Sequence, residues 1–324
     1  MQRGYFFGRL GQTLITLFVV FTLMWLLFRL IPGDPASVYI SGRLTPEEIQ
    51  AIRESWGLDE PLPIQYLKYL SNVIRGDLGI SFYYREKVSQ VVFPTLLNTL
   101  ILMGPAMMTA ILIGVFVGSS IGWRRGSKRE KVGIVLGLIM QSFPLFVSGI
   151  FVLMVFSYWL GWFPLGGMRS IDLRGGSGFQ EFFDLTHHLL LPLVVAALYY
   201  VGDIMMITRT SMLELIGEEF LEFAKARGLP DRKVRRIALR NAIIPILTYS
   251  TIMVGFAFGG QVIVEVVFSW PGIGRLMVDS VSRHDYPVAQ ATFFIMSTVV
   301  ILLNLFMDLL YPYVDPRIAR EKRT

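Results

Sequence analysis

The sequence predicts an all-α integral membrane protein with six transmembrane helices, and three observations predict it. Hydrophobic residues make up 53% of the 324 and charged residues only 17%, against about 45–50% and about 25% in soluble domains. The apolar residues gather into six runs, each reaching the roughly 20 helical residues that cross a bilayer core. The 30 Lys and Arg concentrate in alternate connections between those runs. Length alone suggests about two soluble domains, but the grouping of apolar residues points to lipid as part of the solvent. Cysteine is absent, which excludes disulfides, thiolate metal sites and cysteine nucleophiles.

The spans are expected at Leu10–Ile31, Leu96–Trp123, Val132–Phe163, Leu189–Ile207, Ile243–Phe268 and Gln290–Leu310. Arg3 and Arg9 precede the first run as in a signal peptide, but the run is longer than an h-region and no small-residue cleavage site follows. It reads as a retained span. The third is long enough to tilt or to run past the membrane surface. Pro105, Pro144 and Pro192 lie inside spans, where neighbouring helices can satisfy the carbonyls they free. Residues 1–9, 124–131, 208–242 and 311–324 hold 19 of the 30 basic residues, and 32–95, 164–188 and 269–289 hold 10. The positive-inside rule then makes both termini cytoplasmic. It also accounts for the net charge of +6, so no nucleic-acid partner is expected. The chain divides into an N-terminus and first span (1–31), an extracytoplasmic cap (32–95), a transmembrane core (96–312) and a cytoplasmic tail (313–324).

Within the cap, Thr45-Pro46-Glu47-Glu48 reads as a helix start, with Thr45 as N-cap and Glu48 closing a capping box. Ile49, Ile52 and Trp56 follow at helical spacing and Gly57 ends the helix. Ile64–Ile74 forms a second short helix before Gly76-Asp77-Leu78-Gly79 turns the chain. The cap either covers the outer ends of the spans or receives something delivered from outside. On the cytoplasmic side, Leu213, Ile216, Phe220, Phe223, Ala224 and Arg227 recur at three- and four-residue steps, predicting an amphipathic helix over 213–227 that ends at Gly228-Leu229-Pro230. A helix lying on lipid would carry Lys and Arg on its polar face. Here that face holds Glu214, Glu218, Glu219 and Glu222, which favours a protein partner.

No phosphate-cradling G-x-x-x-x-G-K-[ST] occurs, so ATP hydrolysis by this chain is not expected. His187 and His188 are adjacent and His284 is alone, so metal ligation is unsupported. Asp203, Glu265 and Asp308 lie toward span ends; two aspartates in separate helices suggest an intramembrane aspartyl protease, but Tyr200-Val201-Gly202-Asp203 lacks the earlier glycine of G-x-G-D. Asn98, Gln141 and Gln261, with Asp203 and Glu265, are candidates for lining or gating a passage. Each of the amides serves equally well as an interhelical hydrogen-bonding group.

Read together, the segments resemble one family. Ile31-Pro32-Gly33-Asp34-Pro35 follows the first span, and Gly57-Leu58-Asp59-Glu60-Pro61 and Arg75-Gly76-Asp77-Leu78-Gly79-Ile80-Ser81 lie in the cap. Glu222-Phe223-Ala224-Lys225-Ala226-Arg227-Gly228-Leu229 forms the cytoplasmic helix, and Arg240-Asn241-Ala242 opens the fifth span. Glu265-Val266-Val267-Phe268-Ser269-Trp270-Pro271-Gly272-Ile273-Gly274-Arg275-Leu276, Asp285-Tyr286-Pro287 and Asp315-Pro316-Arg317 complete the order. The chain is similar over nearly its whole length to inner-membrane permeases of the dipeptide/oligopeptide/nickel ABC importer family, the subunit type with an enlarged first external loop.

The resemblance implies the type I importer permease fold, a bacterial or archaeal cytoplasmic membrane, a second homologous permease subunit, two ATPase subunits that carry ATP and Mg, and an extracytoplasmic substrate-binding protein. It implies no cofactor in this chain and no catalytic residue. It also implies docking of the ATPase on the cytoplasmic helix, with Glu222 six residues before Gly228 as in the family pattern and Phe223 standing where that pattern has its first alanine. Glu218, Phe220, Glu222, Ala224, Lys225, Ala226, Arg227 and Gly228 are the expected docking residues. The cap and the Ser269–Leu276 turn are candidates for contact with the binding protein or for outer gating, and a purely structural role for the turn stays open. Peptides are the leading solute, beside nickel complexes, glutathione, opines and oligosaccharides. Two other classes remain: an ion-gradient-driven secondary transporter, which commonly shows inverted repeats not seen here, and the intramembrane protease.

Overall fold

The computed structural model describes residues 3–30, 60–170, 177–260 and 262–314. Within them the chain is helical apart from loops and one isolated bridge between Ile80 and Lys87. The elements are α1 (Arg3–Leu30), α2 (Leu62–Ile74), α3 (Val88–Trp123), α4 (Lys128–Ser142), α5 (Leu145–Val152, continued by a π-helix over Leu153–Trp159), α6 (Gly178–Leu215), α7 (Glu219–Ala226), α8 (Asp231–Gly260), α9 (Val262–Val267), α10 (Ile273–Ser282) and α11 (Tyr286–Val314). Five helices are long and apolar enough to cross a membrane, or six if the bent pair α4–α5 counts as one span. The expected cap helix at 45–57, Gln261 and the Asp315-Pro316-Arg317 motif lie outside the described residues.

The third expected span, Val132–Phe163, is not one straight helix. α4 and α5 meet at 95°. Phe143 sits before Pro144 and adopts an extended backbone at φ −85°, ψ 125°, as expected for a residue whose helical conformation clashes with a following proline ring. Pro144 then serves as the N-cap of α5. Pro105 and Pro192, by contrast, are carried inside α3 and α6 without a break. The fifth expected span, Ile243–Phe268, is divided between α8 and the short α9.

α3 and α6 form the centre of the molecule and run parallel. Leu102, Met103, Ala106 and Ala110 of α3 pack with Leu191, Val195, Ala196, Tyr200 and Ile204 of α6. Lipid gives little hydrophobic drive for this contact, so close backbone approach and dispersion must supply it. Gly114, Gly118 and Gly122 make the approach possible: a Cβ on Gly118 would lie 2.5 Å from the Met205 carbonyl oxygen, and one on Gly114 2.8 Å from Ile204. α4 and α8 pack on α6, and α1 packs against α11. Arg9 and Asp308 pair at 3.3 Å, which places the start of α1 beside the far end of α11.

Polar contacts tie each end of the bundle. At the end rich in basic residues, Trp123 Nε1 donates to Asp231 at 2.9 Å, Arg235 donates to Ser119 and Ser120, and Glu130 accepts from Arg209. At the opposite end, the buried Asp285 accepts from Ser81 Oγ at 2.5 Å and from the backbone N–H groups of Phe82 and Tyr83. This joins two of the sequence motifs, Gly79-Ile80-Ser81 and Asp285-Tyr286-Pro287. Asp184 holds the 164–170 loop through Ser170 N at 2.8 Å, His188 lies against the Gly167 carbonyl and His187 against that of Trp162. Both histidines therefore anchor a loop. The second cap helix, α2, rests on α1 through a Tyr66–Thr22 hydrogen bond of 2.7 Å and a Tyr69–Phe21 stack.

Candidate functional site

The expected 213–227 helix begins later than its periodicity suggests. α6 continues through Leu213 to Leu215, the chain turns at Gly217 with φ +101°, and α7 starts at Glu219. An L-residue resists that conformation, so Gly217 separates the segments that the apolar repeat had joined. Glu219 and Glu222 occupy the first turn of α7 and Lys225 the last, each favourable to the helix dipole. The end is a Schellman motif: Gly228 N donates to Lys225 O at 2.8 Å, Leu229 N to Ala224 O at 3.3 Å, and Gly228 takes φ +73°.

The two faces of α7 also differ from the periodic reading. Leu221, only 1% exposed, and Ala224 pack with Met212 of α6 and with Val234, Ala238, Ala242 and Ile246 of α8. Phe220 and Phe223, which the periodicity grouped with Ala224, point outward, and Phe223 is 65% exposed. Glu218, Glu222, Lys225, Ala226, Arg227 and Gly228 are exposed with them. Glu222 pairs with Lys225 at 2.8 Å, and the Arg227 guanidinium lies 5.8 Å from the Phe223 ring centre. α7 is thus bolted to the bundle by one edge and presents two aromatic rings among charges on the other. Leu221 was missed in the sequence. Its spacing of three to Ala224 and eight to Leu229 was the available signal.

The passage candidates fall into two groups. Asn98 donates to the Pro271 carbonyl at 2.9 Å, and its own carbonyl accepts from the Trp270 indole at 2.9 Å. Next to it, Thr99 Oγ1 donates to Glu265 at 2.5 Å and accepts from Ile273 N at 2.9 Å. Glu265 is 1% exposed and also accepts from Arg275 N at 2.9 Å. Its carboxylate therefore seats the first turn of α10 and pins the Ser269–Leu276 turn to α3. A Cβ on Gly272 would lie 2.2 Å from the Glu265 carboxyl carbon, which explains a glycine there. The role of Thr99 has no sequence signal, because its partners are distant in the chain. Gln141 and Asp203 form the second group, nearer the basic end. Gln141 is exposed and its side chain lies against Gly202, while Asp203 is half-buried. Among the described residues, no group of three His, Asp or Glu is placed to hold a metal ion.

The pattern described as "Binding-protein-dependent transport system inner membrane component" matches residues 85–320, and its N-terminal companion matches residues 2–103. The chain is 37% identical to the di/tripeptide transport system permease protein DppB of Pseudomonas aeruginosa, over 97% of this chain and 98% of that protein. It is 35% identical to the glutathione transport system permease protein GsiC of Salmonella choleraesuis, with coverage of 97% and 98%. It is 33% identical to the oligopeptide transport system permease protein AppB of Bacillus subtilis, with coverage of 97% and 99%. With matches that span the anchored turn, the bundle core and α7 alike, the chain belongs to the family of inner-membrane permease components of binding-protein-dependent transport systems.

Proposed function

We propose that this chain forms half of the translocation pathway of an ATP-driven importer of di- or oligopeptides. A second, homologous permease supplies the other half, two ATPase subunits bind ATP and Mg, and an extracytoplasmic binding protein delivers the solute. The chain itself is a transport subunit. Both termini and α7 face the cytoplasm, in keeping with the concentration of basic residues at that end.

The observation that carries the coupling role is the split of α7 into an anchored edge and an exposed aromatic edge. Glu218, Phe220, Glu222 and Lys225–Gly228 sit in a groove of an ATPase subunit, with Ala224 holding the helix to α8 from behind. Closure of the ATPases on ATP moves α7. Leu221 and Ala224 transmit that movement to α6 and α8, and the Arg209–Glu130 pair carries it to α4. This is rigid-body switching of packed helices, driven by ATP binding and reset by hydrolysis and product release. At the other end, the cap and the Glu265-seated turn contact the binding protein or gate the outer opening, with Asn98 and Glu265 at the hinge of that turn. Gln141 and Asp203 line the passage.

The test is uptake of a labelled dipeptide by the reconstituted four-subunit importer with its binding protein. Uptake must require ATP and persist when ionophores collapse every ion gradient. Uptake driven by an ion gradient without ATP would replace this reading with secondary transport, and a product formed from peptide by the isolated chain would replace it with an intramembrane protease.

A further inference from the structure

A carboxylate within a membrane span is costly unless a cation or water meets it. Asp203 lies in α6, six residues, or about 9 Å, on the bilayer side of Arg209, whose charge is already engaged by Glu130. Among the described residues Asp203 has no hydrogen-bond or ion-pair partner. It belongs to α6, on which α4 and α8 both pack. Tyr199 lies one turn before it, and the Tyr249 ring of α8 is within electrostatic reach of both. Gln141 of α4 lies against Gly202, the adjoining residue. Tyr199, Asp203 and Tyr249 are partly exposed and Gln141 is exposed, which leaves the group open to a solute.

The group carries one negative charge and no positive one. A carboxylate, an amide oxygen and two phenol oxygens all accept hydrogen bonds, and a primary ammonium offers three donors. The faces of the tyrosine rings add attraction for a cation. Among the described residues no basic side chain pairs with Asp203; Arg209 is engaged by Glu130, and Arg235 of α8 by Ser119 and Ser120. We infer that Asp203, with Gln141, Tyr199 and Tyr249, is a transient acceptor site for the free ammonium group of the transported solute, near the basic end of the passage. The site rests on the proposed import of peptides and adds a direction to it. The amino terminus of the peptide is held there while its carboxylate is repelled, so the site favours solutes with a free amine.

The absence of cysteine allows a direct test. Met206→Cys places a single thiol on the turn after Asp203 in this chain, and the whole importer is labelled with cationic and anionic methanethiosulfonates of similar size. With Asp203 in place, the cationic reagent is favoured. Asp203→Asn lowers the cation-to-anion rate ratio about fivefold, the effect of one unit charge at close range in a wet cleft. Asp203→Asn, in the otherwise natural chain, also reduces dialanine uptake several-fold, and Asp203→Glu restores most of it. A thiol that stays unmodified in an active complex, or a ratio unmoved by Asp203→Asn, overturns the inference. The second result is what a basic residue of the neighbouring permease, already neutralising Asp203, would give. If the natural importer fails to take up dialanine with ATP, the proposed function fails separately, and the labelling ratio still reads the charge at Asp203.

Discussion

The Glu265 seat offers the sharpest energetic test of the fold. Replacing Glu265 with Ala takes the short acceptor from the buried Thr99 hydroxyl, leaving it the Thr95 carbonyl at 3.3 Å, and orphans the part-buried Arg275 amide. An unsatisfied donor costs about 1–3 kcal/mol, so the variant should lose about 2–4 kcal/mol once the emptied volume is included. Glu265→Gln keeps one acceptor oxygen and turns an NH2 toward the other donor, for a loss of about 1–3 kcal/mol. Gly272→Ala approaches the same contact from the other side. Its Cβ would stand 2.2 Å from the carboxyl carbon, so the carboxylate must leave its seat at about 2–3 kcal/mol. The backbone is not the obstacle, because Gly272 has φ −94°, which alanine accepts. The two losses must therefore overlap. In the Glu265→Ala background the space is empty, and adding Gly272→Ala should change little. A double-mutant cycle by reversible unfolding in mixed micelles should show a coupling of about 2 kcal/mol, well outside the roughly 0.3–0.5 kcal/mol scatter of independent sites. Additive losses would refute the placement of the carboxylate beneath Gly272.

Three further outcomes follow from the packing. Gly118→Leu should prevent α3 and α6 from meeting, since even a Cβ would lie 2.5 Å from the Met205 carbonyl oxygen; the yield of folded chain in mild detergent should collapse, while Gly8→Leu, where a Cβ meets open space, leaves it unchanged. Asp285→Asn removes acceptor capacity from Ser81, Phe82 and Tyr83, so hydrogen exchange should accelerate about tenfold or more at residues 81–84, matching about 1.4 kcal/mol or more, with the α3–α6 core unaffected. Leu221→Ala should loosen α7 by about 2–4 kcal/mol, read as faster proteolysis between Gly217 and Pro230, whereas Phe223→Ala leaves that rate unchanged because its ring is exposed.

Much of this architecture was legible in the chain, and the reasons it was not all legible are local. Hydropathy located the spans because lipid imposes length and apolarity on any helix that crosses it. It could not locate the 95° bend, because Pro105, Pro144 and Pro192 each stand inside an apolar run, and only before Pro144 does the backbone turn extended. Exposure does not separate them either: Pro192 is buried, but Pro105 is exposed like Pro144 and is still carried inside its helix. The end of α7 was readable from Gly228-Leu229-Pro230, but its start was not. The apolar repeat runs on through Ile216, and Gly217 is a break only because the backbone there takes a positive φ. The same limit applied to the polar residues. Asn98 and Glu265 stood out singly as passage candidates, yet both bond to the turn before α10 through partners about 165 residues or more apart in sequence or contributed by the backbone. Asp203 and Gln141, equally visible in the sequence, keep exposed surface instead.

The coupling role of α7 is the centre of the account, and co-purification tests it most directly. The natural chain and a Glu222→Arg, Phe223→Ala variant, both substitutions on the exposed edge, are expressed with their permease and ATPase partners and isolated in mild detergent through a tag on this chain. The account predicts that the variant retains the second permease and the unfolding behaviour of the natural chain, but loses the ATPase subunits and ATP-dependent uptake together. ATPase subunits retained in full by the variant, with uptake undiminished, would contradict it.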